Sequence, residues 1–243
     1  MNRDSNAYTF LFSAAMVLVV AASLAFAATS LKDMQQANVR QEKMQNILST
    51  IGIDVERTEA EVKYNEYVKE ALALKTDGTV DESTDAFTIN LATETKKPVE
   101  EQRFPLFVAD VEGEKYYVVP LHGAGLWNAI WGYISLKGDI NTVKGAVFDH
   151  TGETAGLGAE ITTDWFQEYF TNEKVFNESG ELVGITVLKG NNDPNGSDKD
   201  DHEVDAISGA TITGDGVTDM IKERLQHYLP YFKKVNSTVA LNQ

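Results

Sequence analysis

Residues 103–148 read RFPLFVADVEGEKYYVVPLHGAGLWNAIWGYISLKGDINTVKGAVF. Four runs rich in Val, Ile, Phe and Tyr lie within this stretch: Arg103–Ala109, Lys115–Leu121, Ile130–Leu136 and Val143–Phe148. Branched and aromatic side chains suit a pleated strand, and the runs have strand length. Turn residues bound them at Glu112-Gly113 and Lys137-Gly138-Asp139. A fifth run, Leu182–Leu188, follows the turn Glu178-Ser179-Gly180-Glu181. Between the fourth and fifth runs, Thr162–Glu173 has helical spacing. Thr162 or Thr163 is its candidate cap, and Trp165, Phe166, Tyr169 and Phe170 make one apolar stripe. A last helix is predicted from Gly216 to Phe232, with Val217, Met220, Ile221, Leu225 and Tyr228 on one face. Strands in succession with helices around them define an α+β domain, its sheet mostly antiparallel, twisted and flanked by helices.

Upstream, Asp77–Glu101 is polar and reads as a connecting loop with one short strand at Phe87–Leu91. Residues 32–75 read as two helices, Lys32–Ile51 and Arg57–Lys75, interrupted at Gly52. They either pack between a leader and the domain or form a partner-binding stalk. Ser5–Leu31 carries no charge, and Tyr8–Ala28 is apolar apart from Thr9, Ser13 and Ser23. At ~1.5 Å per residue this makes a helix of roughly 31 Å, enough to span a bilayer core. Ala25-Phe26-Ala27 also fits a signal-peptide cleavage site, but the long apolar segment and a leader with only Arg3, offset by Asp4, favour an uncleaved anchor. Lys32, Arg40 and Lys43 flank the far side, so counting basic residues does not set the orientation. The expected organisation is an anchor in residues 1–31, a helical connecting region in 32–101 and a binding domain in 102–243.

The 243 residues carry 37 acidic and 21 basic side chains, a net charge of −16, and no cysteine. That balance offers no basic stripe for phosphates, so no nucleic-acid partner is expected. Without cysteine there are no disulfides, Cys-ligated zinc, iron–sulfur clusters or thiol chemistry. His122, His150, His202 and His227 are scattered without ligand spacing, so no metal site is expected. Asp193, Asn195, Ser197, Asp198, Asp200 and Asp201 lack the spacing of a calcium loop and read as a solvated turn.

Three segments have compositions that packing alone explains poorly. In Val204-Asp205-Ala206-Ile207-Ser208-Gly209-Ala210-Thr211-Ile212-Thr213-Gly214-Asp215-Gly216, small and hydroxyl residues collect just before a helix. Gly209 and Ala210 leave room for a ligand, Ser208, Thr211 and Thr213 offer hydroxyls, and the helix start offers N–H groups to an anion. The plainer alternative is a helix capped by Thr213 or Asp215. In His150-Thr151-Gly152-Glu153-Thr154-Ala155-Gly156-Leu157-Gly158-Ala159-Glu160, the last two glycines allow backbone to approach a flat ring against Leu157. The alternative there is a surface turn. In Gly125-Leu126-Trp127 and the strand after it, Trp127 is either a core or a ring-stacking residue, and Trp131 is expected in the core.

These motifs resemble the FMN-binding domain family. Asp205-Ala206-Ile207-Ser208-Gly209-Ala210-Thr211 looks like that family's covalent flavinylation motif. Glu153-Thr154-Ala155-Gly156-Leu157-Gly158 resembles its glycine-rich segment, with Ala155 where Pro is usual. The Gly-Leu-Trp element is similar to that of the C subunits of sodium-translocating NADH:quinone reductases. The resemblance implies an FMN joined through a phosphodiester to Thr211, installed by a flavin transferase. The implied cofactor-binding residues are Ser208, Gly209, Ala210, Thr213, Asp205, Glu153, Thr154, Gly156, Leu157, Gly158 and Trp127. It further implies an electron-relaying subunit, partnered by other membrane subunits, in a complex that oxidises NADH, reduces quinone and exports sodium. The chain would then be a single-pass protein of the inner membrane with its domain on the extracytoplasmic side. Two other readings are the G subunit of the related Rnf-type ferredoxin:NAD complex and a non-redox anchored module that binds a phosphate ligand.

Overall fold

The computed structural model describes residues 5–190 and 196–241. The chain divides into two units, residues 1–43 and 44–243. Helix α1 (Asn6–Thr50) supplies nearly all of the first. Large apolar side chains from Phe10 to Phe26 stand exposed along it, and by length and composition it can cross a membrane. Bare apolar surface costs ~25 cal/mol per Å² in water, a cost that burial in lipid would remove. Arg3 and Asp4 lie outside the described residues.

The second unit starts with the last turns of α1. It continues through α2 (Ala60–Tyr67), β1 (Val68–Leu74), α3 (Leu91–Glu94), β2 (Phe104–Val111), β3 (Glu114–Ala124), β4 (Ala129–Lys137) and β5 (Val143–His150). After these come α4 (Asp164–Glu168), β6 (Thr186–Leu188), β7 (Glu203–Asp205), α5 (Thr211–Gln226) and α6 (Leu229–Leu241). Strands β1 to β5 form one antiparallel sheet in chain order. The architecture is therefore the expected α+β, with helices flanking the sheet.

Both faces of the sheet are covered, which is why its strands read as continuous apolar runs. Phe104, Leu106, Tyr117, Val119, Leu121, Ile134 and Phe148 share one core with Val217, Met220, Ile221 and Leu225 of α5. Phe107, Ala109, Tyr116 and Val118 point to the opposite core, closed by Met44, Ile47, Leu48, Ile51, Ala60 and Tyr64. Ser135 fixes that second layer by donating to the Thr50 carbonyl at 2.6 Å. Tyr228, fully buried, donates to the Pro105 carbonyl at 2.9 Å and ties the chain after α5 to β2.

Several elements differ from the sequence expectation. The helix read over Arg57–Lys75 stops at Tyr67, and Val68–Leu74 is an edge strand paired with β2. Its Ala, Glu, Lys and Leu residues favour helix, but the open edge of β2 outweighs that preference. No strand forms at Phe87–Leu91. Asp85 and Asn90 instead accept from the N–H groups of Phe87 and Ala92, each at 2.9 Å, and start short helical turns. Of Leu182–Leu188 only Thr186–Leu188 is strand, paired in parallel with β7 apart from the main sheet. The helix expected over Thr162–Glu173 is only Asp164–Glu168, and Trp165 of its stripe is exposed. The final helix starts at Thr211, not Gly216, and breaks at His227-Tyr228 before α6. In the acidic turn, Lys174 pairs with Asp200 at 2.6 Å; Asp193 and Asn195 lie outside the described residues.

Two buried titratable groups make stability depend on pH in opposite senses. His227 stacks on Phe104, ring centroids 4.1 Å apart. Burial, reinforced by Arg224 and opposed by Glu223, pulls its pKa down to about 4. The unfolded chain then binds more protons between the ordinary histidine value of 6.5 and about 4, so this group costs stability as pH falls through that range. Glu173 is fully buried, with Lys199 at 2.9 Å on Oε1 and, among the described residues, no hydrogen-bond partner on Oε2. Burial pushes it up to about 7 from 4.5, against the pull of Lys199. Its contribution is full below about 4.5 and lost as pH rises through about 7. We expect His227→Phe to flatten the acid limb of the urea midpoint against pH, and Glu173→Gln the neutral limb. Unchanged slopes in both variants would contradict these assignments.

Candidate functional site

The fold brings the three unusual segments together at one end of the sheet. Gly125–Asn128 is the turn between β3 and β4, closed by the Gly125 N–H donating to the Asn128 carbonyl at 2.8 Å. Residues 151–160 follow β5, and Ile207–Ala210 forms the turn into α5, with Ala210 N–H on the Ile207 carbonyl at 3.1 Å. Glu153 joins the first and third. Its Oε1 accepts from the Trp127 N–H at 3.0 Å and its Oε2 from the Thr213 hydroxyl at 2.7 Å. The Trp127 indole N–H donates to the Thr154 hydroxyl at 3.2 Å. Gly209 stands at φ +78°, a backbone conformation that favours glycine, and lies close against the Leu157 side chain.

Helix α5 sits close to the sheet because its glycines permit it. A Cβ on Gly216 would meet the Ala124 carbonyl oxygen, and one on Gly123 of β3 would lie 2.8 Å from Met220 Cβ. Ala210 is the N-cap, and no side chain caps the helix or places an acid in its first turn. Among the described residues no side chain caps these first-turn N–H groups, and such a helix start favours an anion. Thr211 is exposed there, beside exposed Ser208 and Gly209 and by Ile212, which is 57% exposed.

The sequence-derived site residues fall into two groups. Ser208, Gly209, Thr211, Thr154, Gly156, Leu157 and Trp127 are exposed, and Asp205 is half-buried at the end of β7. Trp127 is 69% exposed, which excludes its core reading, and Trp131 is only half-buried. Glu153, Gly158, Ala210 and Thr213 face inward. Ala210 belongs to the main core. A Cβ on Gly158 would lie 2.6 Å from Glu153 Oε2 and run into the Thr213 hydroxyl, so glycine is what lets these two side chains meet there. Neither Thr213 nor Asp215 caps α5, and Thr213, 1% exposed, is committed to Glu153.

Burial of Glu153 works against its charge. The N–H of Trp127, the Thr213 hydroxyl and the N–H groups of Asn128 and Leu126 outweigh it and hold the pKa below the ordinary glutamate value. Three contributors were not singled out from sequence. Leu126 and Ile212 add exposed apolar surface, and His150 Nδ1 accepts from the Glu153 N–H at 3.2 Å. Their presence inside the quoted motifs was the available signal. A separate hollow of about 380 Å³ lies over residues 81–103, where Arg103 pairs with Asp81 at 2.6 Å and Lys97 with Glu94 at 2.7 Å.

Exposed hydroxyls at an uncapped helix start, beside apolar surface and a glycine held against Leu157, match a ligand with a phosphate and a flat ring. Residues 125–226 match the FMN-binding domain family. The C subunit of the Na(+)-translocating NADH-quinone reductase of Haemophilus ducreyi is 31% identical, with 99% of this chain and 98% of that protein covered. The corresponding C subunit of Neisseria meningitidis serogroup A is 30% identical, with 98% of each chain covered. The crystal structure of the C subunit from Parabacteroides distasonis aligns with a TM-score of 0.74 and 42% identity, over 83% of this chain and 96% of that one. The chain belongs to the C-subunit family of the Na(+)-translocating NADH-quinone reductases, and residues 125–226 are its FMN-binding domain.

Proposed function

We propose that this chain relays electrons within a membrane NADH:quinone reductase coupled to sodium export, through an FMN joined by a phosphodiester to Thr211. The observation that carries this reading is the contrast between two neighbouring hydroxyls. Thr211 is exposed at the uncapped start of α5, whereas Thr213 is buried on Glu153. The residues fit the cofactor. First-turn N–H groups and the Ser208 hydroxyl suit its phosphoryl group, and Trp127 and Leu157 offer apolar surface to its ring. Bound FMN supplies reversible electron uptake; the chain's part is to hold and shield it. A covalent bond keeps such a shallow, exposed site occupied without a pool of free cofactor.

Residues 1–31 serve as the anchor, 32–101 as the connection and 102–243 as the domain that carries FMN. The partners are the other membrane subunits and, during maturation, a flavin transferase. The domain stands outside the inner membrane. Protease added to intact spheroplasts is therefore expected to remove the domain; complete protection would reverse that topology. Co-expressed with a flavin transferase, the protein should remain yellow and fluorescent after acid precipitation. Colour released entirely by denaturation would overturn covalent attachment.

A further inference from the structure

We propose that Glu153 is a positioning residue for the cofactor, a buried carboxylate clamp that holds the Trp127 turn and the Thr211 helix start in one arrangement. This rests on Thr211 being the attachment point. Glu153 does not reach a ligand itself, because both of its oxygens are taken up inside the protein. Oε1 receives the Trp127 N–H from 26 residues away, and Oε2 receives the Thr213 hydroxyl from 60 residues away. Thr213 is two positions beyond Thr211 on the same first turn of α5. Two glycines enclose the carboxylate. A Cβ on Gly125 would lie 2.5 Å from Oε1, and one on Gly158 would lie 2.6 Å from Oε2.

A buried carboxylate is costly to desolvate and is a poor choice where packing alone is required. Here it is satisfied from two separate segments at once, which fixes their relative placement. The next residue, Thr154, receives the Trp127 indole N–H, so the ring and the helix start are referred to the same short segment. A hydrophobic residue could fill the space but could not set these directions.

Attachment forms the bond between Thr211 Oγ1 and the flavin phosphorus and breaks a phosphoanhydride P–O bond of an activated flavin donor. The hydroxyl proton passes to solvent, and the departing nucleotide keeps the electron pair of the broken bond. Glu153 takes no part in that exchange. It sets where Thr211 Oγ1 is presented.

The test uses full-length protein in membranes or detergent, purified flavin transferase and flavin adenine dinucleotide as donor. The rate of adduct formation is read by intact mass, together with the folded fraction by circular dichroism. Glu153→Gln and Thr213→Val are each expected to slow modification per folded molecule at least tenfold. The double variant should be no slower than either alone, and Thr213→Ser should restore the wild-type rate. Phe170→Leu, a core change outside the site, should lower the melting temperature without changing the rate per folded molecule. If Glu153→Gln does not fold, the Thr213 pair decides: a wild-type rate in Thr213→Val overturns the proposal. A wild-type rate in folded Glu153→Gln also overturns it, while leaving attachment at Thr211 intact. A wild-type chain that gains no adduct on Thr211 overturns the attachment reading itself.

Discussion

Thr211→Val, matured beside a flavin transferase, is expected to yield a folded protein with no covalent flavin. The substitution removes the only side-chain atom of residue 211 that can bond to phosphorus. It leaves the fold alone because the side chain is exposed at the first helical position. Surface changes of this kind fall within about ±0.5 kcal/mol, so the melting temperature should hardly move. Thr211→Ser keeps a hydroxyl at the same place and should still accept flavin. The neighbouring Thr213 cannot substitute, since its hydroxyl is buried (the residue is 1% exposed) and donates to Glu153. Flavin retained through acid precipitation by Thr211→Val would show that another hydroxyl, Ser208 foremost, is the acceptor.

The second large effect concerns the seat of α5. In Gly216→Ala the added methyl would overlap the backbone carbonyl oxygen of Ala124, which cannot rotate away as a side chain can. Either α5 lifts from β3 or the end of β3 bends. Overpacking of this kind costs about 3 kcal/mol. For a chain of this size each kcal/mol lowers the melting temperature by roughly 2–4 °C, so a fall of about 6–12 °C is expected. The same shift would move Thr211 and Thr213 relative to Glu153 and reduce flavin loading. Gly152→Ala is the matched control, because nothing lies within 4 Å of its added Cβ. Equal melting temperatures for the two variants would contradict the close packing described for α5.

The sheet was legible in the sequence because β2 to β5 are buried on both faces and read as runs of Val, Ile, Phe and Tyr. β1 was not, since Val68–Leu74 is composed of helix formers and is made a strand only by the edge it meets. The start of α5 was hidden for a related reason. Gly214 and Gly216 lower helix propensity by about 1 kcal/mol each, and their value lies in contacts with Val187 and Ala124 that no local pattern reveals. Strands β6 and β7 have three residues each, too short for a period to show.

At the site, composition disclosed which segments mattered but not which residues face out. Thr211 and Thr213 are the same residue type two positions apart; the motif resemblance singles out Thr211, but only the helix shows that Thr213 is buried. Gly156 and Gly158 look alike in sequence, yet Gly156 is exposed at φ +76° and Gly158 is buried against Glu153 and Thr213. The part played by Glu153 depends on partners 26 and 60 residues away, which a linear reading cannot assemble.

Cleavage at Lys199 and Lys222 releases the peptide Asp200–Lys222, which contains Thr211 together with Ser208, Thr213 and Thr218. Fragmenting that peptide from the wild-type protein, matured with a flavin transferase, tests covalent attachment most directly. The expected result is one FMN, added with loss of one water, on Thr211. An unmodified peptide, or the adduct on Ser208, Thr213 or Thr218, would contradict it.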